Sequence, residues 1–119
     1  MKAVISQHDI CVAIKATEND VLYIRVMDQV GFDGKYLDIE HRHYYPNSKD
    51  NAVRASYPDE VKGTELAKFY DKWYIYKNAP LTSKKYALIR TDIDELLERI
   101  KDKFKFACLA SGGDAVEFC

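Results

Sequence analysis

The segment DIEHRHYYP, residues 38–46, holds the side chains in this chain whose types and spacing could do chemistry. His41 and His43 stand two apart with Glu40, Arg42, Tyr44 and Tyr45 around them. On an extended strand, alternate residues face the same way, roughly 6–7 Å apart. Two imidazoles so placed could share a zinc ion, given a third His, Cys or carboxylate at the same point. Remote candidates for that third ligand are Cys108 and Asp114. The other histidine, His8, falls beside Asp28 in the strand register derived below, too far along the sheet to join the pair. His8 with Asp28 then reads as a stabilising cross-strand pair and not an acid–base dyad, because no nucleophile accompanies it. On ligand count, His41 and His43 are expected to be sheet histidines hydrogen-bonded to a carbonyl or hydroxyl, with metal binding as the competing expectation.

On the other side of the same strand, Asp38, Glu40 and Arg42 alternate as the carboxylates and base of a divalent-metal nuclease would. Solubility alone produces this alternation on an exposed strand, and no upstream acidic residue sits in a matching turn. ASGGD, near the C-terminus, resembles a phosphate loop in its glycines but precedes AVEFC with no Lys-Ser/Thr; a tight hairpin turn accounts for it better. The tyrosines cluster in HYYP and WYIYK. Phe69, Tyr70 and Trp73 fit a helix's buried stripe, leaving Tyr44, Tyr45, Tyr74 and Tyr76 as an aromatic rim. Lysines between the aromatics, Lys68 to Lys85, also admit base stacking with phosphate neutralisation.

The elements that must position these residues follow from hydropathy period. Ile10, Val12 and Ile14 alternate, as do Leu22, Ile24 and Val26, and then Leu37 and Ile39: three strands in sequence. A three-residue loop, Thr17-Glu18-Asn19 with Asn in a left-handed conformation, sets Ile10, Val12 and Ile14 beside Val26, Ile24 and Leu22. The signal Asp33-Gly34 predicts a tight turn across Phe32-Asp33, which places Ile24 beside His41 and Leu22 beside His43. In that register the histidines have aliphatic neighbours.

Residues 46–63 are polar and punctuated by Pro46, Pro58 and Gly63, a long connection. Leu66, Phe69, Tyr70 and Trp73 predict a helix capped by Thr64, ending near Trp73, with WYIYK strand-like in composition. KKYALIR is a short strand candidate, and TDIDELLERIKDKF a helix capped by Thr91 and Asp94 with Ile93, Leu96, Leu97, Ile100 and Phe104 as its stripe. FKFACLA and AVEFC complete a C-terminal β-hairpin. The expected fold is α+β: an N-terminal three-stranded antiparallel meander, two helices and that hairpin, in one small domain spanning residues 1–119.

Composition limits the function. A chain that is 47% hydrophobic can bury a core, which argues against disorder. With 18 basic against 19 acidic residues, it carries no global attraction for polyanions, so nucleic acid is not the favoured partner. No apolar run reaches membrane-spanning length, and the N-terminal residues lack the apolar core of a signal peptide. Three dispersed cysteines, Cys11, Cys108 and Cys119, form neither a disulfide framework nor a zinc signature, which suits a reducing cytoplasm.

With no nucleophile–base pair, complete metal set or cofactor loop, the expectation is a small cytosolic non-enzymatic binding protein without a cofactor. Its working surface is expected at Arg42, Tyr44, Tyr45, Trp73 and Tyr74, engaging another protein or a copy of itself. Much Lys, Asp, Ile and Tyr with little Pro or Gly suits an AT-rich genome, and a phage or mobile-element inhibitor of a host protein falls within this expectation. The alternatives are a metal-dependent hydrolase or nuclease built on His41, His43 and nearby carboxylates, and a nucleic-acid-binding module.

Overall fold

The computed structural model describes residues 10–28, 34–45, 52–55, 57–102, 106–111 and 114–117. Strand β1 (Ile10–Lys15) pairs antiparallel with β2 (Asp20–Asp28), and β2 with β3 (Lys35–Tyr44). A short β4 (Ala52–Arg54) joins the far end of β3, giving the order β4-β3-β2-β1. Helix α1 (Glu65–Tyr74), a two-residue strand β5 (Pro80–Leu81) against the start of β3, and helix α2 (Ser83–Ile100) follow. The fold is α+β, an antiparallel sheet with two helices over one face. Among the described residues no helix is long and apolar enough to cross a membrane.

Period-2 alternation decides which face the helices cover. Val12, Ile14, Leu22, Ile24, Val26, Leu37 and Ile39 are all but inaccessible and form one cluster with Leu66, Phe69 and Trp73 of α1 and Ile89, Ile93, Leu96, Leu97 and Ile100 of α2. Burying each such aliphatic side chain is worth about 1.5–3 kcal/mol, so this face drives the packing. The opposite face carries Tyr23, Arg25, Met27, Tyr36, Asp38, Glu40, Arg42 and Tyr44, all partly exposed.

The β1–β2 register is the expected one, Ile10 with Val26, Val12 with Ile24 and Ile14 with Leu22. Its loop is 17–19, closed by Ala16 N–H donating to the Asp20 carbonyl at 2.8 Å. Asn19 does not supply the left-handed conformation; among the described non-glycine residues Asn78 does, at φ 62°. Asn78 N–H donates to the Leu37 carbonyl at 2.7 Å, tying the turn after α1 to β3. The β2–β3 register differs from expectation by two residues. Asp28 pairs with Lys35, so the connection takes residues 29–34 in place of a two-residue turn. A two-residue slip keeps every side chain on its face but changes its neighbour. Ile24 therefore faces Ile39, Leu22 faces His41, and Asp20 faces His43.

The helices correct two further expectations. KKYALIR is not a strand but the opening turns of α2, because Ile89 stands four residues before Ile93 and extends the same buried stripe. The N-cap is therefore Thr82, whose hydroxyl accepts from Lys85 N–H, while Thr91 sits mid-helix and donates to the Ala87 carbonyl at 3.0 Å. Thr64 does occupy the N-cap of α1, but its hydroxyl donates backwards to Val61 at 2.6 Å and caps nothing in the helix. WYIYK ends α1 and enters a turn; its backbone meets the sheet at a bridge of Lys77 with Leu37. His8, Phe104 and Cys119 lie outside the described residues, as do the side chains of Cys11, Cys108 and Asp114.

Candidate functional site

At one end of the helix-covered face the aliphatic pattern gives way to polar residues in the same phase. Asp20 precedes Leu22 and Ile24 on β2, and His41 and His43 follow Leu37 and Ile39 on β3, so all three point toward the helices. Register then brings them together. His41 is 2% exposed and Asp20 is 5% exposed. The Asp20 Oδ1 accepts from His41 Nε2 and from His43 Nδ1, each at 3.0 Å, while Oδ2 accepts from the Thr17 hydroxyl.

His41 is also held from its other side. Its Nδ1 lies 2.8 Å from the Ala55 carbonyl, and Tyr57 stacks on the ring at 4.3 Å between centroids and 19° between planes. A carbonyl accepts only, so Nδ1 donates to it; an ionised carboxylate accepts only, so Nε2 donates to Asp20. Both ring nitrogens thus face acceptors. Burial by itself would raise the Asp20 pKa, but the hydrogen bonds from Thr17, His43 and His41 outweigh it and hold the carboxyl below its ordinary value. The cluster is a buried carboxylate clamped by two imidazoles and a hydroxyl.

This corrects the expectation that the histidines have aliphatic neighbours alone. The carbonyl partner expected for a sheet histidine is present at Ala55, but the carboxylate was missed. Among the described residues no group of three or more His, Cys, Asp or Glu side chains is arranged to hold a metal ion.

The residues expected to form one aromatic surface are dispersed. Arg42 and Tyr44 lie on the face away from the helices. Arg42 binds Glu40 through Nε at 2.8 Å and Nη2 at 2.7 Å, and its guanidinium lies 4.8 Å from the Tyr23 ring centre. The Tyr23 and Tyr44 hydroxyls hydrogen-bond at 2.7 Å, and burial, then the Tyr44 hydroxyl, pushes the Tyr23 pKa up to about 12. Arg25 reaches the Tyr23 ring as well, at 5.5 Å, and its Nε is buried without a hydrogen-bond partner. Tyr45 is 53% exposed at the end of β3, its ring edge-on to His43 at 5.8 Å. Tyr74 is exposed on α1. Trp73 offers no surface: it is 3% exposed in the core, and its Nε1 donates to Asp92 at 2.8 Å. The helical spacing that makes Phe69 and Trp73 core residues was readable; adding Trp73 to the surface set went against it.

Among Asp38, Glu40 and Arg42, the pair nearest the nuclease pattern is self-neutralised, because Glu40 is taken by Arg42 and by Lys77 at 3.7 Å. Compared with protein families, with curated proteins and with solved structures, the chain matches none. Fold and site together define an α+β protein whose sheet has one buried face ending in a carboxylate–imidazole cluster and one face of tyrosine and arginine.

Proposed function

We propose that this chain is a small binding protein that engages another protein through the tyrosine- and arginine-bearing face of its sheet, with Tyr45 at the rim. The supporting observation is the ladder Arg25, Tyr23, Arg42 and Tyr44, in which two guanidiniums bracket one tyrosine ring and a second tyrosine locks it by its hydroxyl. Tyr and Arg dominate interface energetics because they bring large contact area with directed donors. Held rigid beforehand, they lose little rotamer freedom on docking. The interleaved carboxylates Asp38 and Glu40 favour a protein partner over a polyanion, since each arginine on this face has an acid beside or across from it. We place the protein in the cytoplasm and include, beyond β1, a C-terminal hairpin of residues 106–111 and 114–117. Support for the hairpin comes from extended backbone in both segments and an antiparallel register that sets Leu109 beside Val12.

The test is a triple variant, Tyr23→Ala, Arg42→Ala and Tyr44→Ala, compared with the unaltered chain immobilised in lysate of its source cells. A stoichiometric partner retained by the unaltered chain and lost by a variant with an unchanged melting profile supports the proposal. Identical retention by both places any interface elsewhere, and sedimentation at high concentration distinguishes a second copy of the chain from a foreign protein.

A further inference from the structure

We propose that His43 is a general base for hydrolysis of small, solvent-accessible carboxylic esters, with Asp20 as the positioning residue that fixes its tautomer. This is an activity separate from the binding face, which lies on the other side of the sheet.

Asp20 anchors the arrangement. Both of its oxygens are anchored, Oδ2 by the Thr17 hydroxyl and Oδ1 by His41, so the carboxylate cannot turn away. The same Oδ1 is 3.0 Å from Nδ1 of His43. An ionised carboxylate only accepts, so His43 carries its proton on Nδ1. In a neutral imidazole the far nitrogen, Nε2, then holds the free lone pair. Among the described residues nothing hydrogen-bonds Nε2, and the His43 side chain is 36% exposed, in contrast to the enclosed ring of His41. The Tyr45 ring stands edge-on to His43. A buried carboxylate on Nδ1 of a partly exposed imidazole is the geometry that orients a catalytic histidine in acyl transfer. The second histidine belongs to the support: His41 Nε2 holds the same Oδ1, leaving orientation of His43 as the carboxylate's role.

In the proposed step His43 Nε2 takes a proton from water as the water oxygen bonds to the ester carbonyl carbon. The tetrahedral intermediate then collapses, the carbon–oxygen bond to the leaving group breaks, and the departing alkoxide or phenoxide leaves with the electron pair. The proton on Nε2 passes to that leaving group, restoring the base. Asp20 stays ionised throughout, and no proton leaves His41.

The probe is p-nitrophenyl acetate, followed by release of p-nitrophenol, together with ring 15N–1H spectra of the histidines. The unaltered protein is expected to accelerate release, and His43→Ala to remove the protein-dependent rate. Asp20→Asn is expected to lower it about tenfold or more, within the range that an oriented general base contributes. The spectra should show His43 protonated on Nδ1 in the unaltered chain and shifted toward Nε2 in Asp20→Asn, a change that a merely structural aspartate would not produce. Should Asp20→Asn fail to fold, Thr17→Val loosens one oxygen only, and the spectrum of the unaltered chain stands without any variant. Equal rates for His43→Ala and the unaltered protein, or a His43 proton on Nε2 in the unaltered chain, overturn the proposal.

Discussion

The two faces of the central sheet solve the problem of polar side chains in opposite ways. On the helix side, Leu22, Ile24, Leu37 and Ile39 leave no accessible surface, and the polar residues that end this face are satisfied inside the protein, by one another and by Thr17 and Ala55. On the other side, Tyr23, Arg42, Glu40 and Tyr44 are also paired, but at partial exposure, where a partner such as Arg42 stays within reach of water. The bonds look alike on paper. What differs is the cost of breaking them, because an orphaned buried charge cannot be resolvated.

The sharpest test of this contrast is Asp20→Ala set against Glu40→Ala. Removing Asp20 strands the enclosed His41 imidazole and frees the partly exposed His43 and Thr17, and is expected to cost about 3–5 kcal/mol, the range for breaking a buried pair from one side. Glu40→Ala is expected to cost less, about 1–2 kcal/mol, because Arg42 keeps access to water although Glu40 and Lys77 are largely covered. Chemical denaturation of both variants checks the pair, and equal losses would erase the distinction between the faces.

A smaller effect comes from Trp73→Phe. The ring volume largely stays, but Asp92 loses the indole donor, retaining Lys72 at 2.6 Å on its exposed side. About 1–2 kcal/mol is expected, since a hydrogen bond to a charged group exceeds a neutral one. A melt showing no change would mean that the lysine alone satisfies the carboxylate.

Acid should separate the faces as well. Because the folded-state pKa of Asp20 is lowered, its ionised form is favoured by folding. The associated stability is intact above the ordinary aspartate value of about 3.9 and is lost as pH falls through the lower folded value. The unaltered protein should therefore lose stability more steeply below about pH 4 than Asp20→Asn does. Parallel acid limbs in denaturant titrations at successive pH values would show that Asp20 does not carry this dependence.

How much of this was legible in the sequence follows from how local each feature is. The β1–β2 pairing could be read because a three-residue loop leaves one register that keeps Val12 and Ile14 against Ile24 and Leu22. The β2–β3 pairing could not, because Asp33-Gly34 signals a turn without saying how many residues surround it, and residues 29–34 all belong to the connection. Face assignment survived that error, since two residues is one full period of a strand. Neighbour assignment did not, and the carboxylate beside the histidines was lost with it. A signal was available: Asp20 is in phase with Leu22, Ile24 and Val26, as His41 and His43 are with Leu37 and Ile39. Polar residues in the buried phase at the same end of two paired strands call for one another. The first turns of α2 were misread for a different reason. Tyr, Leu and Ile in KKYALIR have strand-like composition, yet Ile89 continues the helical spacing of Ile93, Leu96 and Ile100.

The smallest expected effect probes the boundary between satisfied and unsatisfied polar groups on the buried side. Tyr57 stacks flat on His41 and meets Tyr70 edge-on, so its ring is part of the packing around the cluster. Its hydroxyl is buried with no hydrogen-bond partner among the described residues, and burial, with Tyr70 and Asp71 nearby, pushes its pKa far up. If every polar atom near Asp20 contributed through hydrogen bonding, removing this one would destabilise the protein. Tyr57→Phe instead keeps the stacked ring and deletes an unpaired oxygen, so stability should change by no more than about 0.5 kcal/mol, or rise slightly. Tyr57→Ala, by contrast, removes the ring that covers His41 and should cost about 3–5 kcal/mol, as for other large aromatics. A phenylalanine variant melting as early as the alanine one would place the contribution of Tyr57 in its hydroxyl, and the buried face would then hold a second polar anchor beside Asp20.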